Sequence, residues 1–262
     1  IGSVMISPIY HAQVDLLLGI LPYVAKAKVF ALKGGTAINL FVRNMPRFSV
    51  DIDLTYLPFD ERNVALQNIS DALGHLTRLL EVGIPGIRVS PSRQSGGQDA
   101  KITCQLQKAL VKVEVNTVMR GHLWPVRPME LVQPAQHEFG KFAAMNVVSH
   151  AELFGGKICA ALDRQHPRDL FDIRQLFKHE GFSDETRQGF IAALLSHPRP
   201  IHEIIRPNFQ DQRDAFDNQF AGMAVLPFTY EDFENTREQL IHEIHLQMTD
   251  NDRAFLLSFK GA

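Results

Sequence analysis

Apolar residues recur every three to four positions through AQVDLLLGILPYVAKA, residues 12–27, and predict an amphipathic helix. KVFALKGGTAINLFV follows, reading as an apolar segment, a double glycine and a helix opened by Gly35 and Thr36. FSVDIDLTYL alternates apolar and polar positions, which predicts a strand. Residues 60–83, DERNVALQNISDALGHLTRLLEVG, return to helical spacing and stop at Gly83. IPGIRVSPSRQSGGQDA is rich in turn residues, and its SRQSGGQDA is predicted to be a hairpin tip or mobile loop. KITCQLQ and KALVKVEVNTV alternate as two further strands, and a looser, proline-containing stretch occupies residues 121–136.

The pattern changes from about Lys141 onward. AELFGGKICAALDRQ, RDLFDIRQLFKHEG, DETRQGFIAALLSH and YEDFENTREQLIHEIHLQM all carry helical spacing. The expected organisation is therefore a mixed α/β core over residues 1–140 and a mainly helical lobe over 141–262, with the change of character near 138–150. No internal repeat or low-complexity tract interrupts it.

Composition narrows the picture only a little. The chain has 262 residues, 45% hydrophobic and 21% charged, which is near the average for a globular protein and argues against extensive disorder. No apolar run reaches the roughly 18–20 residues of a membrane span. The N-terminus lacks the basic-then-apolar plan of a signal peptide, and residues 1–4, ahead of Met5, read as a cloning remnant. Two cysteines, Cys104 and Cys159, are too few for a disulfide framework and lack metal-site spacing, so a reducing cytoplasm is expected. The formal charge of −2 says nothing about nucleic acid, because that partner needs a local basic face rather than a net charge.

The chemistry concentrates in LKGGTAINLFVRNMPRFSVDIDL, residues 32–54. On a strand, residues i and i+2 face the same side, so Asp51 and Asp53 point together while Ile52 and Leu54 point into a core. Two carboxylates that close repel, and at least one pKa rises unless a cation sits between them. Mg²⁺ fits that role: it takes oxygen ligands and commonly uses one or two carboxylates plus substrate phosphates. KVEVN offers Glu114 as a third acid, which a neighbouring strand can set beside the pair. Upstream, KGGT supplies pliable backbone and a helix start, whose N–H groups suit phosphate. In this order the parts are those of metal-dependent phosphoryl or nucleotidyl transfer.

LKGGTAINLF…RFSVDIDL closely resembles motif I of the AbiEii/AbiGii toxin family, nucleotidyltransferase-like toxins of type IV toxin–antitoxin and abortive-infection systems. AELFGGKICAALDRQHPRDLFDI resembles that family's second signature, a helical Lys, then an Arg, then an Arg-Asp-x-x-Asp segment. The two signatures span roughly residues 32–173; the last ~90 residues carry no matching motif. The resemblance implies an α+β, DNA polymerase β-like nucleotidyltransferase core with an appended helical lobe, using NTP and Mg²⁺ or Mn²⁺. It implies that Gly34, Gly35 and Thr36 hold the triphosphate, that Arg47 and Ser49 flank the metal-binding pair Asp51 and Asp53, and that Lys157 contacts nucleotide phosphate. Asp169 and Asp172 both fit the final acidic motif, and the sequence does not choose between them. Relatives in the family transfer nucleotides, several of them onto the 3′ end of tRNA, which blocks translation. Two departures stand out: Thr36 replaces the Ser of the minimal nucleotidyltransferase signature at a longer spacing, and the third acid is Glu114 rather than Asp.

Read physically, the second signature puts Leu153, Lys157, Ala160 and Ala161 near one helical face. Gly155 and Gly156 inside that helix cost about 1 kcal/mol each relative to Ala, which close approach of another backbone or a ligand would justify. Pro167 opens the next helix. Asp169 and Asp172 share a face there, and either acid can orient Lys157 or Arg164. His166 reads as a loop histidine. His242 and His245 lack the HExxH pattern, so metal binding is not expected of them. Arg199 and Arg206 are two charges that an RNA-binding face would use.

The expectation from these readings is a cytoplasmic nucleotidyltransferase toxin that moves a nucleotide from NTP to an RNA, the tRNA 3′ end foremost, with a cognate antitoxin and no membrane association. Its rivals are an enzyme that modifies a protein side chain or an antibiotic, and a catalytically silent NTP-binding partner module.

Overall fold

A computed structural model describes residues 7–93 and 99–260. The chain divides into two compact units. The first comprises the chain up to Val148 together with Gly222–Leu226; the second comprises Ser149–Ala221 and the chain from Pro227 onward.

The first unit begins with α1, Pro8–Val24, then β1, Phe30–Lys33, and the short α2, Gly34–Ala37, which runs straight into a π-helical turn, Ile38–Val42. After β2, Asp51–Tyr56, comes α3, Arg62–Gly83. Then follow β3, Arg88–Arg93; β4, Asp99–Leu106; β5, Ala109–Asn116; β6, Arg127–Glu130; α4, Gln133–Phe139; and β7, Ala144–Val147. The seven strands form one mixed sheet in the order β3-β4-β5-β2-β1-β7-β6. β2 runs parallel to β5 and β1 parallel to β7, while the other neighbours are antiparallel.

Alternation decides which face is buried. On β5, Ala109, Val111, Val113 and Val115 are buried while Leu110, Lys112 and Glu114 are exposed. Ile52 and Leu54 of β2 and Ile102 and Cys104 of β4 join the buried side. Helices α1 and α3 cover it. α3 contributes Ala65, Ile69, Leu73, Leu76 and Leu80, a stripe at three- and four-residue spacing. It ends on Gly83, whose missing side chain leaves room for Tyr23 of α1.

Three strands escape the sequence pattern. β3 falls in the stretch read as turn-rich, β6 in the looser stretch before Gln136, and β7 just past residue 141, where only helices are expected. β3 and β6 are the two edges of the sheet, and each contains a proline, Pro91 and Pro128. An edge strand tolerates the missing N–H because one side has no partner. β7 pairs with β1 and so belongs to the first unit, which puts the division at 148/149 rather than 140/141. The predicted hairpin tip includes residues 94–98, which lie outside the described residues, as do residues 1–6.

The second unit is helical: α5, His150–Arg164; α6, Pro167–His179; α7, Asp184–Leu195; α8, Ile201–Ile205; α9, Arg213–Gln219; α10, Tyr230–Gln247; and α11, Asp250–Lys260. Phe171, Phe216, Phe220 and Phe228 meet in an aromatic cluster, with ring centroids 5.3–6.2 Å apart. α5 packs closely against α7, and glycine makes it possible. A Cβ on Gly155 would collide with the backbone of Gly189, and one on Gly189 with the backbone of Ala151. Gly156 differs: a Cβ there meets nothing within 4 Å.

The two neighbouring glycines therefore predict opposite outcomes. Gly155→Ala should destabilise the fold by about 2–3 kcal/mol or more, because backbone cannot step aside as a side chain can. Gly156→Ala should be neutral or stabilise by up to about 1 kcal/mol. Urea unfolding of the two variants beside wild type reads the difference; equal losses for both would refute the close-packing account.

Candidate active site

The turn from β1 into α2 sets the first group of residues. Lys33 is extended, and Gly34 at φ +70° swings the chain into the helix. That backbone region suits glycine. A Cβ on Gly34 would also overlap the Asp53 carboxylate. Gly35 is just as crowded: a Cβ there would lie 2.8 Å from Arg47 Nη2 and 3.0 Å from Ser49 Oγ. The double glycine is thus the space that lets β2 and its flanking residues close against α2.

Thr36 ties the two elements together. It is fully buried; its hydroxyl donates to the Asp51 carbonyl at 2.5 Å and stands 3.0 Å from Ser49 Oγ. Asn39 donates to the Gly35 carbonyl at 2.9 Å. Arg47 is 2% exposed and donates from Nη1 to the Phe48 carbonyl at 2.8 Å. The segment Gly222–Leu226 lies alongside: Phe48 donates its N–H to the Met223 carbonyl and Val225 donates to Pro46, both at 2.8 Å. Thr36, which the motif assigns to the triphosphate, and Arg47 and Ser49, which flank the metal-binding pair in it, are in this geometry buried groups that fix the entry into β2.

Asp51 and Asp53 share the half-exposed face of β2, with Ile52 and Leu54 buried behind them. The sheet register continues their rows. Lys33 on β1, Asp53 on β2, Glu114 on β5 and Lys101 on β4 lie side by side, and Asp51 neighbours Lys112 on β5. Glu114 is thus beside Asp53, as the strand pattern suggests, but its carboxylate is engaged by Lys101 Nζ at 3.3 Å. Among the described residues no group of three or more His, Cys, Asp or Glu side chains gathers to hold a metal ion. The donor set nonetheless suits a hard cation, because two aspartate carboxylates on one face match a metal that completes its shell with substrate phosphates. Lys112 is the residue that motif reading missed. Its signal was available in LVKVEVN, where alternation puts Lys112 on the same face as Glu114.

The second group forms a cluster within the second unit. Lys157 on α5 is 6% exposed, and its ammonium lies 2.9 Å from Asp169 Oδ1 and 3.0 Å from Asp172 Oδ2, both on α6. Arg164 grips Asp169 with two bonds, Nε to Oδ2 at 2.8 Å and Nη2 to Oδ1 at 3.1 Å. Both candidate acids therefore touch Lys157, and Asp169 also holds Arg164. Burial by itself would raise the Asp169 carboxyl. The charges of Lys157 and Arg164, with the hydrogen bonds they donate, outweigh it and hold the acid well below the usual carboxylate range.

His166 caps this arrangement. Its Nδ1 accepts the Arg168 N–H at 3.1 Å as the N-cap of α6, and Nε2 stands 3.2 Å from Gln219 Oε1. Burial, reinforced by the Arg168 charge, lowers its pKa and favours the neutral ring that a capping acceptor must be. Arg199 pairs with Asp163 and Glu203. Cys104 and Cys159 are buried free thiols, each pushed by burial up to about 12, so neither is a ready nucleophile.

An acidic strand pair beside a glycine-built turn suits metal-dependent phosphoryl or nucleotidyl transfer, and comparison with known proteins shows the family and the fold. Residues 15–261 match the family described as "Nucleotidyl transferase AbiEii toxin, Type IV TA system". The chain belongs to this family, and it is a nucleotidyltransferase toxin. The fold is shared with MenT4, a nucleotidyltransferase toxin from Mycobacterium tuberculosis H37Rv, at a TM-score of 0.69 and 15% identity over 94% of this chain and 87% of that one. No curated protein sequence matches significantly. An NTP substrate, a divalent metal and a cognate antitoxin go with the family. No helix among the described residues is long and apolar enough to cross a membrane.

Two stability predictions follow from the second cluster. Asp169→Asn should cost about 3–5 kcal/mol, since it strips a carboxylate from two cations, one of them buried. Because the folded pKa is depressed, the Asp169 contribution is complete above its unfolded value of about 3.9 and fades as pH falls below it. Urea unfolding at pH 7 and pH 3 should therefore show a smaller gap between variant and wild type at the lower pH. His166→Asn should keep a capping acceptor. The wild-type His contribution is complete above about pH 6.5 and declines as pH falls, so His166→Asn should flatten stability between pH 7 and pH 5. An unchanged pH profile would refute the neutral-cap assignment.

Proposed function

We propose that this toxin is a Mg²⁺-dependent enzyme of the cytoplasm that transfers a nucleotide from an NTP to the 3′ end of an RNA, tRNA foremost, and so blocks translation. The observation that carries the reading is the pair Asp51 and Asp53 on one accessible strand face, beside a helix start at Gly34 and Gly35. Asp51 and Asp53 hold the metal. When bound, Mg²⁺ supplies positive charge that steadies the triphosphate and makes an acceptor hydroxyl more acidic.

The rest of the machinery is positional. Thr36 fixes the Asp51 backbone through its carbonyl, so the carboxylate is aimed before substrate arrives. Gly34 leaves the Asp53 carboxylate room that any larger residue would fill. The backbone of Gly34 and Gly35 is the triphosphate cradle that the motif implies. Glu114 serves as a third metal ligand only by exchanging Lys101 for the cation. Lys157 likewise reaches a phosphate only by giving up at least one of its two carboxylates, Asp169 or Asp172.

Incubation of the purified protein with Mg²⁺, each α-³²P-labelled NTP in turn and total tRNA, resolved on a denaturing gel, tests the proposal. Label should appear on tRNA with at least one NTP, vanish when EDTA is added, and fall by at least 100-fold in Asp53→Ala. Label on protein alone, with NTP binding intact, would overturn the RNA acceptor. Undiminished toxicity of the Asp51→Ala and Asp53→Ala variants in cells would overturn enzymatic action altogether.

A further inference from the structure

The sheet face carrying Asp51 and Asp53 continues across β5, β4 and β3 with a distinct composition. Lys112 on β5 is exposed and makes no ion pair among the described residues. Next to it in register stands Thr103 of β4, and next to Thr103 stands Ser90 of β3. One row along, Lys101 neighbours Ser92, and at the other end Arg88 of β3 is exposed beside Gln105. Among these positions Glu114 is the acid, and Lys101 already engages it. A chain with a net charge of −2 thus carries a three-strand strip of cations and hydroxyls that begins beside Asp51.

The direction of the strip carries a chemical meaning. Phosphoryl transfer aligns the attacking and leaving oxygens across the phosphorus. The glycine turn that follows β1 lies on the β1 side of β2, and β5 lies on the other side. With the triphosphate and its departing pyrophosphate at the turn, the attacking hydroxyl arrives from the β5 side.

We infer that the β5–β4–β3 face is the docking surface for the acceptor strand, with Lys112 and Arg88 contacting backbone phosphates of an RNA that ends at the Asp51–Asp53 pair. The inference rests on the proposed RNA acceptor and adds which surface binds it. The bond made joins the RNA 3′ oxygen to the NTP α-phosphorus; the bond broken releases pyrophosphate, and the hydroxyl proton passes to solvent. Thr103, Ser90 and Ser92 offer hydroxyls to phosphate oxygens without reading bases, so the surface fixes position rather than sequence.

Steady-state transfer of labelled nucleotide to tRNA, measured at several salt concentrations, tests the surface with Lys112→Gln and Arg88→Gln. Both positions are exposed, and a thermal melt checks that each variant folds. Each variant should raise the acceptor KM by about 2–5-fold while leaving the NTP KM unchanged. The log–log dependence of acceptor kcat/KM on salt should become shallower by about 0.7–1 for each cation removed. Unchanged acceptor KM and salt slope in both variants, with wild type labelling tRNA normally, would overturn the docking surface and leave the RNA acceptor standing. If wild type labels protein in place of RNA, the acceptor reading and this surface fall together.

Discussion

Like charge on adjacent same-face positions is the constraint around which the first unit is built. Asp51 and Asp53 stand two residues apart on β2, where their repulsion must be tolerated or met by cations. A one-residue slip of β2 would bury both carboxylates without separating them, so the register of this strand has to be held. The surroundings hold it. Thr36 holds the Asp51 carbonyl, the missing side chain of Gly34 accommodates the Asp53 carboxylate, and buried Arg47 packs against Gly35. Even Met223, far along the chain, accepts a backbone bond from Phe48 and helps fix the approach to β2.

Charge serves a different purpose where water is excluded. Lys157 in the second unit is almost wholly buried, and an ammonium there is tolerable only with partners. Asp169 and Asp172 supply them, while Arg164 shares Asp169 and remains largely exposed. The cluster joins α5 to α6 with few alternatives, since removing either carboxylate leaves a cation short of partners. The same residue types on the sheet face are wetter, and the Lys101–Glu114 pair there is correspondingly weak and exchangeable. Burial, more than residue identity, separates the charges that hold the fold from those available to a ligand.

Net charge is a poor guide to such a surface. The overall balance of −2 conceals Lys112, Lys101 and Arg88 on three adjacent strands, because polyanion attraction depends on charge within roughly a Debye length rather than on the sum over the chain.

Local periodicity made much of this legible. The alternation of SVDIDL placed Asp51 and Asp53 on one face, the spacing through residues 60–83 marked α3 to its last glycine, and the two motifs identified the family. These are properties of a few consecutive residues, and side-chain direction along a strand or helix follows from backbone geometry alone. The edge strands β3 and β6 were hidden because proline in a short segment reads as a turn, and only an unpaired sheet edge makes it acceptable. Gly155 and Gly156 looked alike in sequence, yet only Gly155 faces another helix backbone. The neighbours of Asp51 and Asp53, the pairing of Glu114 with Lys101 and the closure of Lys157 between two acids were likewise decided by tertiary structure. Register and packing join residues distant in the chain, and their energies depend on which surfaces meet, information that no local pattern contains.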